Sequence, residues 1–236
     1  MSCRLTALAV DAEDPARLAR FWAELLGRES VEDARGQQLR ASETQLGLRF
    51  VATGAATTSE LNRIHLHLTS ASPADQQHTV TRALQLGASH LDVGQLPEEG
   101  HVVLADPEGY AFCVIEPGNA FLAGCGFLGE LTCDGPRSVG LFWAQALGWP
   151  LVWDQDQETA IQSPRGGTKV SWGGEPAASE RARGRQRLDL AVLDGDLAGE
   201  IERLVALGAS RLSTTDGDAV ELADPDGNVF CVRVEP

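Results

Sequence analysis

The chain has 236 residues, 43% of them hydrophobic, which allows either one large domain or two ordinary domains with well-formed cores. Its formal net charge of −15 at pH 7 argues against nucleic acid as a partner, because a phosphate backbone would be repelled by most of the surface. No stretch approaches the ~20 apolar residues of a membrane span, and the first residues become acidic too early for a signal peptide. We therefore expect a cytoplasmic protein that does not bind membranes.

Hydrophobic periodicity in the first half predicts a strand, a helix and further strands, in that order and twice over. Residues 5–10 form the first predicted strand. Asp14 is expected to cap a helix that has Pro15 at its first position and ends at Gly27. A second unit of the same kind is predicted over residues 63–116, with a helix that starts after Ser72. The order of elements is the same in the second half of the chain.

Four blocks of sequence recur in the same order, at offsets of 118 to 122 residues. RFWAELLG at Arg20 matches LFWAQALG at Leu141, and RIHLHL at Arg63 matches RQRLDL at Arg185. LGAS occurs twice, and ADPEGYAFCV in the first half corresponds to ADPDGNVFCV in the second. Such repeats predict a duplicated domain, and we place domain 1 at residues 1–118 and domain 2 at 119–236.

Together these blocks resemble the glyoxalase / bleomycin resistance protein / extradiol dioxygenase superfamily, the vicinal oxygen chelate fold, and are most similar to its glyoxalase-like branch. The resemblance covers both halves almost end to end. It implies an α+β fold of tandem glyoxalase-like domains, in which four βαβββ units form two curved-sheet clefts. This arrangement is similar to a covalent version of the two-chain, two-cleft homodimers among smaller members, and the sequence leaves open whether the chain is a monomer or a homodimer.

Metal-dependent members of that superfamily carry a histidine on the first strand, a histidine or similar ligand on the fifth and a glutamate on the eighth. Counting back from the helix cap puts the first position at Ala7 and, in the second half, at Leu128, neither of which can bind a metal. The fifth-strand position is His65 in the first half and Arg187 in the second. The eighth-strand position holds a cysteine in both halves: Cys113 and Cys231. The resemblance thus implies that the standard site is missing, so we predict no cofactor and leave His65 as the single weak candidate ligand for a divalent metal.

His65 and His67 alternate along one predicted strand and therefore share a face. Two histidines at this spacing can chelate a metal, or can act as acid and base near neutral pH, which makes His65 the candidate catalytic residue. The interpretation that the sequence favours is that His67 is partly exposed and His65 forms a hydrogen bond inside a polar cleft. Arg187 and Asp189 stand at the matching places in the second half, where we expect a local ion pair, so the two clefts should differ chemically.

The DPEG and DPDG segments are typical of type I turns between antiparallel strands. In the strand after each turn, Cys113 and Cys231 take the opposite face from Phe112 and Phe230, and the resemblance implies that the cysteine face lines the cleft. A nucleophilic cysteine needs a neighbouring base or cation, and neither cysteine has one adjacent in sequence. We therefore expect both cysteines to be small apolar side chains that fill space.

Trp22 and Trp143 lie within predicted helices and are expected in the core, whereas Trp153 and Trp172 are equally compatible with the core and with an aromatic-lined cleft. The predicted ligand-binding set contains eight residues: His65, His67, Cys113, Trp153, Trp172, Arg187, Asp189 and Cys231.

Three functions remain open from the sequence. The leading hypothesis is a small-molecule-binding protein without the standard metal site, which sequesters an apolar or aromatic metabolite or transforms it without metal. The alternative is a metal-dependent lyase, isomerase or dioxygenase with non-standard ligands around His65, drawn from His67, Cys113 or a neighbouring carboxylate. A third is a non-catalytic module whose clefts are filled by their own side chains.

Overall fold

The computed structural model describes residues 3–52, 63–96, 98–174, 184–193, 195–215 and 219–234. They form four consecutive units, each with a strand, a helix and three further strands. Unit 1 consists of β1 (Cys3–Ala12), α1 (Pro15–Leu26), β2 (Val31–Asp33), β3 (Gly36–Leu39) and β4 (Gly47–Ala52). Unit 2 consists of β5 (Ile64–Leu68), α2 (Pro73–Gln85), β6 (Ser89–His90), β7 (Val102–Ala105) and β8 (Ala111–Val114).

The second half of the chain repeats this order. Unit 3 consists of β9 (Leu128–Asp134), α3 (Arg137–Leu147), β10 (Leu151–Gln155), β11 (Glu158–Gln162) and β12 (Lys169–Gly173). Unit 4 consists of β13 (Gln186–Val192), α4 (Leu197–Ala206), β14 (Ser210–Thr215), β15 (Ala219–Ala223) and β16 (Val229–Val234). This is the α+β architecture of four βαβββ units that the sequence predicted.

The helices begin where local chemistry predicts. The Asp14 side chain accepts a hydrogen bond from the Arg17 amide, Pro15 occupies the first turn, and Gly27 ends α1 in the left-handed conformation at φ 64°. Ser72 caps α2 in the same way as Asp14 caps α1, by accepting from the Asp75 amide. No helix of the described residues is both long enough and apolar enough to cross a membrane.

Each of the two eight-stranded sheets combines one unit from each half of the chain. Sheet 1 has the strand order β14-β15-β16-β13-β1-β4-β3-β2 and therefore joins units 1 and 4. Sheet 2 has the order β10-β11-β12-β9-β5-β8-β7-β6 and joins units 2 and 3. The strand pairing shows that neither half of the chain builds a complete sheet alone. The domain boundary at residue 118 stays a prediction.

The largest hydrophobic core contains residues of all four units. Trp22 of α1 packs edge-on against Phe112 of β8, with ring centroids 5.1 Å apart. Trp143 of α3 makes the equivalent contact with Phe230 of β16, at 4.9 Å. Because α1 belongs to sheet 1 and β8 to sheet 2, and α3 and β16 reverse that relation, these contacts join the two sheets. We call the face of each sheet that is directed away from Phe112 and Phe230 its cleft face.

The repeated DPxG turns are tied to the repeated tryptophans. Trp22 donates its indole N–H to Asp106 Oδ2 at 3.1 Å, and Trp143 donates to Asp224 Oδ2 at 3.2 Å. The other oxygen of each aspartate accepts two backbone amides of its own turn. Backbone bonds of 2.9 Å and 2.8 Å from the glycine N–H to the aspartate carbonyl close the two turns, in accord with the turn prediction. A carboxylate buried at each turn therefore links a turn of one unit to the helix of another.

We expect Trp22→Phe to lower the free energy of unfolding by about 1–3 kcal/mol, because it removes the indole donor from the buried Asp106 carboxylate. Urea denaturation measures the change. The matched control is Trp153→Phe, at an exposed tryptophan on β10, which should cost less than about 0.5 kcal/mol. Equal losses in the two variants would show that the Trp22–Asp106 bond contributes nothing.

Candidate functional site

Two rows of side chains cross the cleft face of sheet 2. The register of the strands aligns Cys113 on β8, His67 on β5, Glu130 on β9 and Lys169 on β12 in the first row. The second row runs through neighbouring positions of the same strands to the edge strand β10: His65, Thr132, Ser171, Ala160 and Trp153. Four ionisable groups thus lie side by side on four adjacent strands, and the two histidine rings lie 4.9 Å apart between centroids.

His67 lies between a carboxylate and a thiol. Its Nδ1 is 2.7 Å from Glu130 Oε2, and Cys113 is its register partner on β8. Burial alone would lower the pKa of His67, but the hydrogen bonds that its ring makes with Cys113 and donates to Glu130, together with the charge of Glu130, overcome that effect and raise the pKa to about 9. Burial works against ionisation of Glu130 as well, yet its bond to His67 lowers the Glu130 pKa. His67 is therefore an imidazolium at neutral pH.

His65 has the opposite protonation state. Burial lowers its pKa to about 4, and the positive charge of His67 adds to that effect. His65 is consequently a neutral imidazole at neutral pH, with a ring nitrogen that can accept a proton or bind a metal. The hydroxyl of its row neighbour Thr132 is buried and has no hydrogen-bond partner among the described residues.

The donor atoms around His65 also form a group of metal-binding size. One ligand atom each from His65, His67 and Cys113 lies within 4.8 Å of the other two. Two imidazoles and a thiolate suit zinc and related transition metals, and a carboxylate on the second nitrogen of a liganding histidine is the usual support for such a site. Glu130 has that position at His67. These donor atoms are therefore suitable ligands for a metal ion. The expectation from the sequence that the protein binds no metal stays a prediction.

The segment between units 2 and 3, residues 115–127, covers part of this face. Leu122 and Cys125 pack with Val103 and Cys113 in a small apolar cluster separate from the main core. Lys169 donates a hydrogen bond to the Phe121 carbonyl and lies 4.3 Å from the centre of the Phe121 ring. The two histidines, Thr132 and Ser171 remain partly exposed, whereas Cys113, Glu130 and Ala160 are buried, so the segment narrows the cleft without closing it over the histidines.

The two tryptophans that the sequence left undecided have different positions. Trp153 is 39% exposed and meets Phe121 edge-on at 5.7 Å, on the cleft face of sheet 2. Trp172 is 2% exposed and stacks on Trp143 in the core. Its assignment to a ligand-binding set is therefore wrong, because Ser171 and not Trp172 points to the cleft face of β12.

The matching face of sheet 1 is more tightly closed. Arg187, Asp189 and Cys231 line it, and all three are buried. The expected local ion pair is marginal, since Arg187 Nε is 4.0 Å from Asp189 Oδ1, whereas Arg187 binds Asp11 at 2.8 Å. No histidine lies on this face within the described part of the chain.

The first-strand ligand position was wrongly placed in unit 3. Leu128 lies in the core, 1% exposed, and α3 is capped by Pro136 and not by residue 135.

The strand pairing identifies the residue that does occupy this position. Ala7 pairs with Asp189, and His67, the repeat equivalent of Asp189, pairs with Glu130. Glu130 is therefore the equivalent of Ala7. The sequence contained one signal that could have identified Glu130: it is the single acidic residue within the apolar strand LGELTC, on the same face as Thr132.

The sequence matches the glyoxalase-like domain family over residues 7–115 and 130–233, which is most of the chain. The chain belongs to the glyoxalase-like domain family. No curated protein matches the sequence. Among solved structures, this glyoxalase-like chain is similar to glyoxalase I from Zea mays, with a TM-score of 0.68 and 16% identity over 99% of this chain and 92% of that chain. A putative dioxygenase from Bacillus subtilis gives a TM-score of 0.67 and 13% identity, over 100% of this chain and 86% of that chain.

These matches confirm the predicted family, fold and tandem duplication of the glyoxalase-like protein. At such low identity the solved structures support the fold alone. His65, His67 and Cys113 were predicted from the sequence as candidate site residues. The structure adds Glu130 and Lys169 on the same face of sheet 2.

In chelator-treated protein we expect the ring protons of His67 to titrate well above neutral pH, and Glu130→Gln to move that midpoint to lower pH. A histidine whose pKa is raised on folding, from 6.5 to about 9 here, contributes stability below pH 6.5 that is lost as the pH rises through 9. The unfolding free energy of Glu130→Gln should therefore fall less steeply over that range. Proton NMR measures the midpoint, and the exposed His78, whose signal should be the same in both proteins, is the internal control. Titration of His67 below pH 7 in both proteins would contradict the expected charge state.

Proposed function

We propose that this glyoxalase-like protein binds a small aromatic molecule with a polar substituent on the cleft face of sheet 2, and that His65 and His67 carry out proton transfer at that substituent. The observation that carries the proposal is the convergence of His65, His67, Cys113 and Glu130 on three adjacent strands. Membership of the glyoxalase-like family supports a small-molecule role in general. The ligand and the chemistry are our proposal.

The second row of sheet 2 has a polar end and an aromatic end. His65 stands at one end and Trp153 at the other, four strand spacings apart, which is about 19 Å. The side chains between them are small, namely Thr132, Ser171 and Ala160. Phe121 adds a second aromatic surface beside Trp153. A flat ring could lie over Thr132 and Ser171, with its polar group at the histidines and its apolar edge directed toward the aromatic pair.

The histidines supply an acid and a base in one place. Two titratable neighbours with pKa values pushed apart are the usual mark of such a division of roles. The neutral imidazole of His65 accepts the proton that the ligand loses, and the imidazolium of His67 places positive charge beside the oxygen that becomes negative. Glu130 fixes the His67 ring through its Nδ1.

A second candidate function is metal-dependent chemistry at the same place, and the close grouping of His65, His67 and Cys113 favours it. These three side chains would hold the metal, and Glu130 would keep the His67 ring oriented. A metal with three protein ligands and an open position supplies a Lewis acid that polarises a bound oxygen.

We expect 1-naphthol, an aromatic ring with one hydroxyl, to bind to the intact protein and to quench tryptophan fluorescence saturably. His65→Ala removes the partner of the hydroxyl and should weaken binding by about tenfold, whereas Trp153→Ala, at the far end of the row, should weaken binding less, because one bicyclic ring does not span the row. The control is Leu212→Ala, at an exposed leucine of sheet 1, which should bind as the unaltered protein does. Absence of saturable binding, or equal affinity in all four proteins, would contradict the proposed binding face.

Cobalt(II) distinguishes the second candidate from the first. If the metal is held as described, chelator-treated protein should develop a thiolate-to-cobalt charge-transfer band at one equivalent of Co²⁺, and Cys113→Ser should abolish it. Cys231→Ser, at the equivalent position of sheet 1, should retain the band. A band that persists in Cys113→Ser, or no band at all, would exclude this metal site and leave the metal-free function.

A further inference from the structure

The cleft face of sheet 1 carries a cluster of charged side chains where sheet 2 carries its histidines. Arg187 on β13, Ala9 on β1 and Arg49 on β4 are aligned in one row, and Cys231, Asp189 and Ala7 in the next. Arg233, two residues after Cys231, shares its face. Arg49 and Arg187 are buried despite their charge, which requires partners for both.

Two of the arginines are paired with carboxylates. Arg49 binds both oxygens of Asp33, at 2.7 Å and 3.0 Å, and also the Gln38 side-chain oxygen at 2.7 Å. Arg187 binds Asp11 at 2.8 Å. These pairs hold the two guanidinium groups in place on either side of Ala9.

Two buried polar atoms in the centre of this face have no hydrogen bond. Asp189 is 2% exposed at its side chain, and its Oδ1 has no donor within hydrogen-bond distance. The Nε of Arg233 is buried and has no acceptor. The two side chains approach to 3.7 Å through Arg233 NH2 and Asp189 Oδ2. An unpaired donor and an unpaired acceptor left buried together cost stability, so a group that both donates and accepts would be stabilising there.

A third arginine has no anionic partner. Arg35, in the turn between β2 and β3, is half-buried, and no carboxylate of the described residues lies within 4 Å of its guanidinium. Burial lowers its pKa most, and the positive charges of Arg49 and Arg233 lower it further, whereas the carboxylates of Asp189 and Asp33 act in the opposite direction without forming an ion pair with its guanidinium. A half-buried guanidinium that forms no ion pair of its own favours an added anion at this side of the cleft.

We propose that the cleft face of sheet 1 is a second binding site, for a small carboxylate with a hydroxyl on the neighbouring carbon. The hydroxyl donates to Asp189 Oδ1 and accepts from Arg233 Nε, and the carboxylate binds the guanidinium of Arg35. A simple carboxylate would leave Asp189 Oδ1 without a donor, and a neutral alcohol would leave Arg35 without an anion. This site shares no residue with the cleft face of sheet 2 and does not depend on the function proposed for it.

Glycolate and acetate form a matched pair of probes, because they differ by the hydroxyl alone. We expect glycolate to shift the methyl NMR signals of Ala7 and Ala9 saturably, and acetate to bind about tenfold more weakly. Equal affinities would overturn the proposal, since water would then satisfy Asp189 and Arg233. So would shifts confined to sheet 2 or an absence of saturable binding.

Three variants separate the roles of the residues. Arg35→Gln, in a half-exposed turn, should weaken both probes by about tenfold, because it removes the guanidinium from the carboxylate. Asp189→Asn should reduce the preference for glycolate over acetate. Arg137→Gln, at an exposed arginine paired with Asp154 on sheet 2, should change neither affinity. Unchanged glycolate binding in Arg35→Gln would overturn the carboxylate assignment, and that variant remains informative if Asp189→Asn does not fold.

Discussion

Two indole–carboxylate hydrogen bonds connect the parts of this fold that the sheets leave separate. Trp22 with Asp106, and Trp143 with Asp224, join the two units within each half of the chain, whereas each sheet joins units from different halves. The result is a closed circuit of four units, in which every unit has one neighbour through a sheet and another through the core. This explains why the FWA and DPxG motifs recur together: each supplies one side of the same bond.

The duplicated scaffold holds two chemically different faces. At equivalent positions, sheet 2 has His67 opposite Glu130, and sheet 1 has Asp189 opposite Ala7, while a cysteine occupies the third position in both. In sheet 2 a buried carboxylate keeps the His67 imidazole charged, while burial and that charge keep the His65 imidazole neutral, which is the basis of the proposed proton transfer. In sheet 1 arginines and carboxylates alternate, and Arg35 forms no ion pair among the described residues, which is the basis of the proposed anion site. A duplicated chain can thus keep one architecture and use each cleft differently.

Local chemistry made much of the fold predictable. The caps at Asp14 and Ser72, the glycine that ends α1 and the repeated turns depend on neighbouring residues in the chain. The composition of the clefts depends on strand register between distant units, which single-sequence patterns do not encode. Glu130 was missed for this reason, as was the Asp11 partner of Arg187. The prediction for Trp172 chose the wrong face of its strand, because alternation along a strand defines two faces and does not say which of them packs in the core.

In the function that we propose, an aromatic ligand meets the two histidines on the cleft face of sheet 2. A crystal structure of the protein soaked with 1-naphthol tests this most directly. We expect the ring over Thr132 and Ser171, with its hydroxyl at His65 and its outer edge toward Trp153. A ring found on sheet 1, or only in a surface depression away from the histidines, would contradict it.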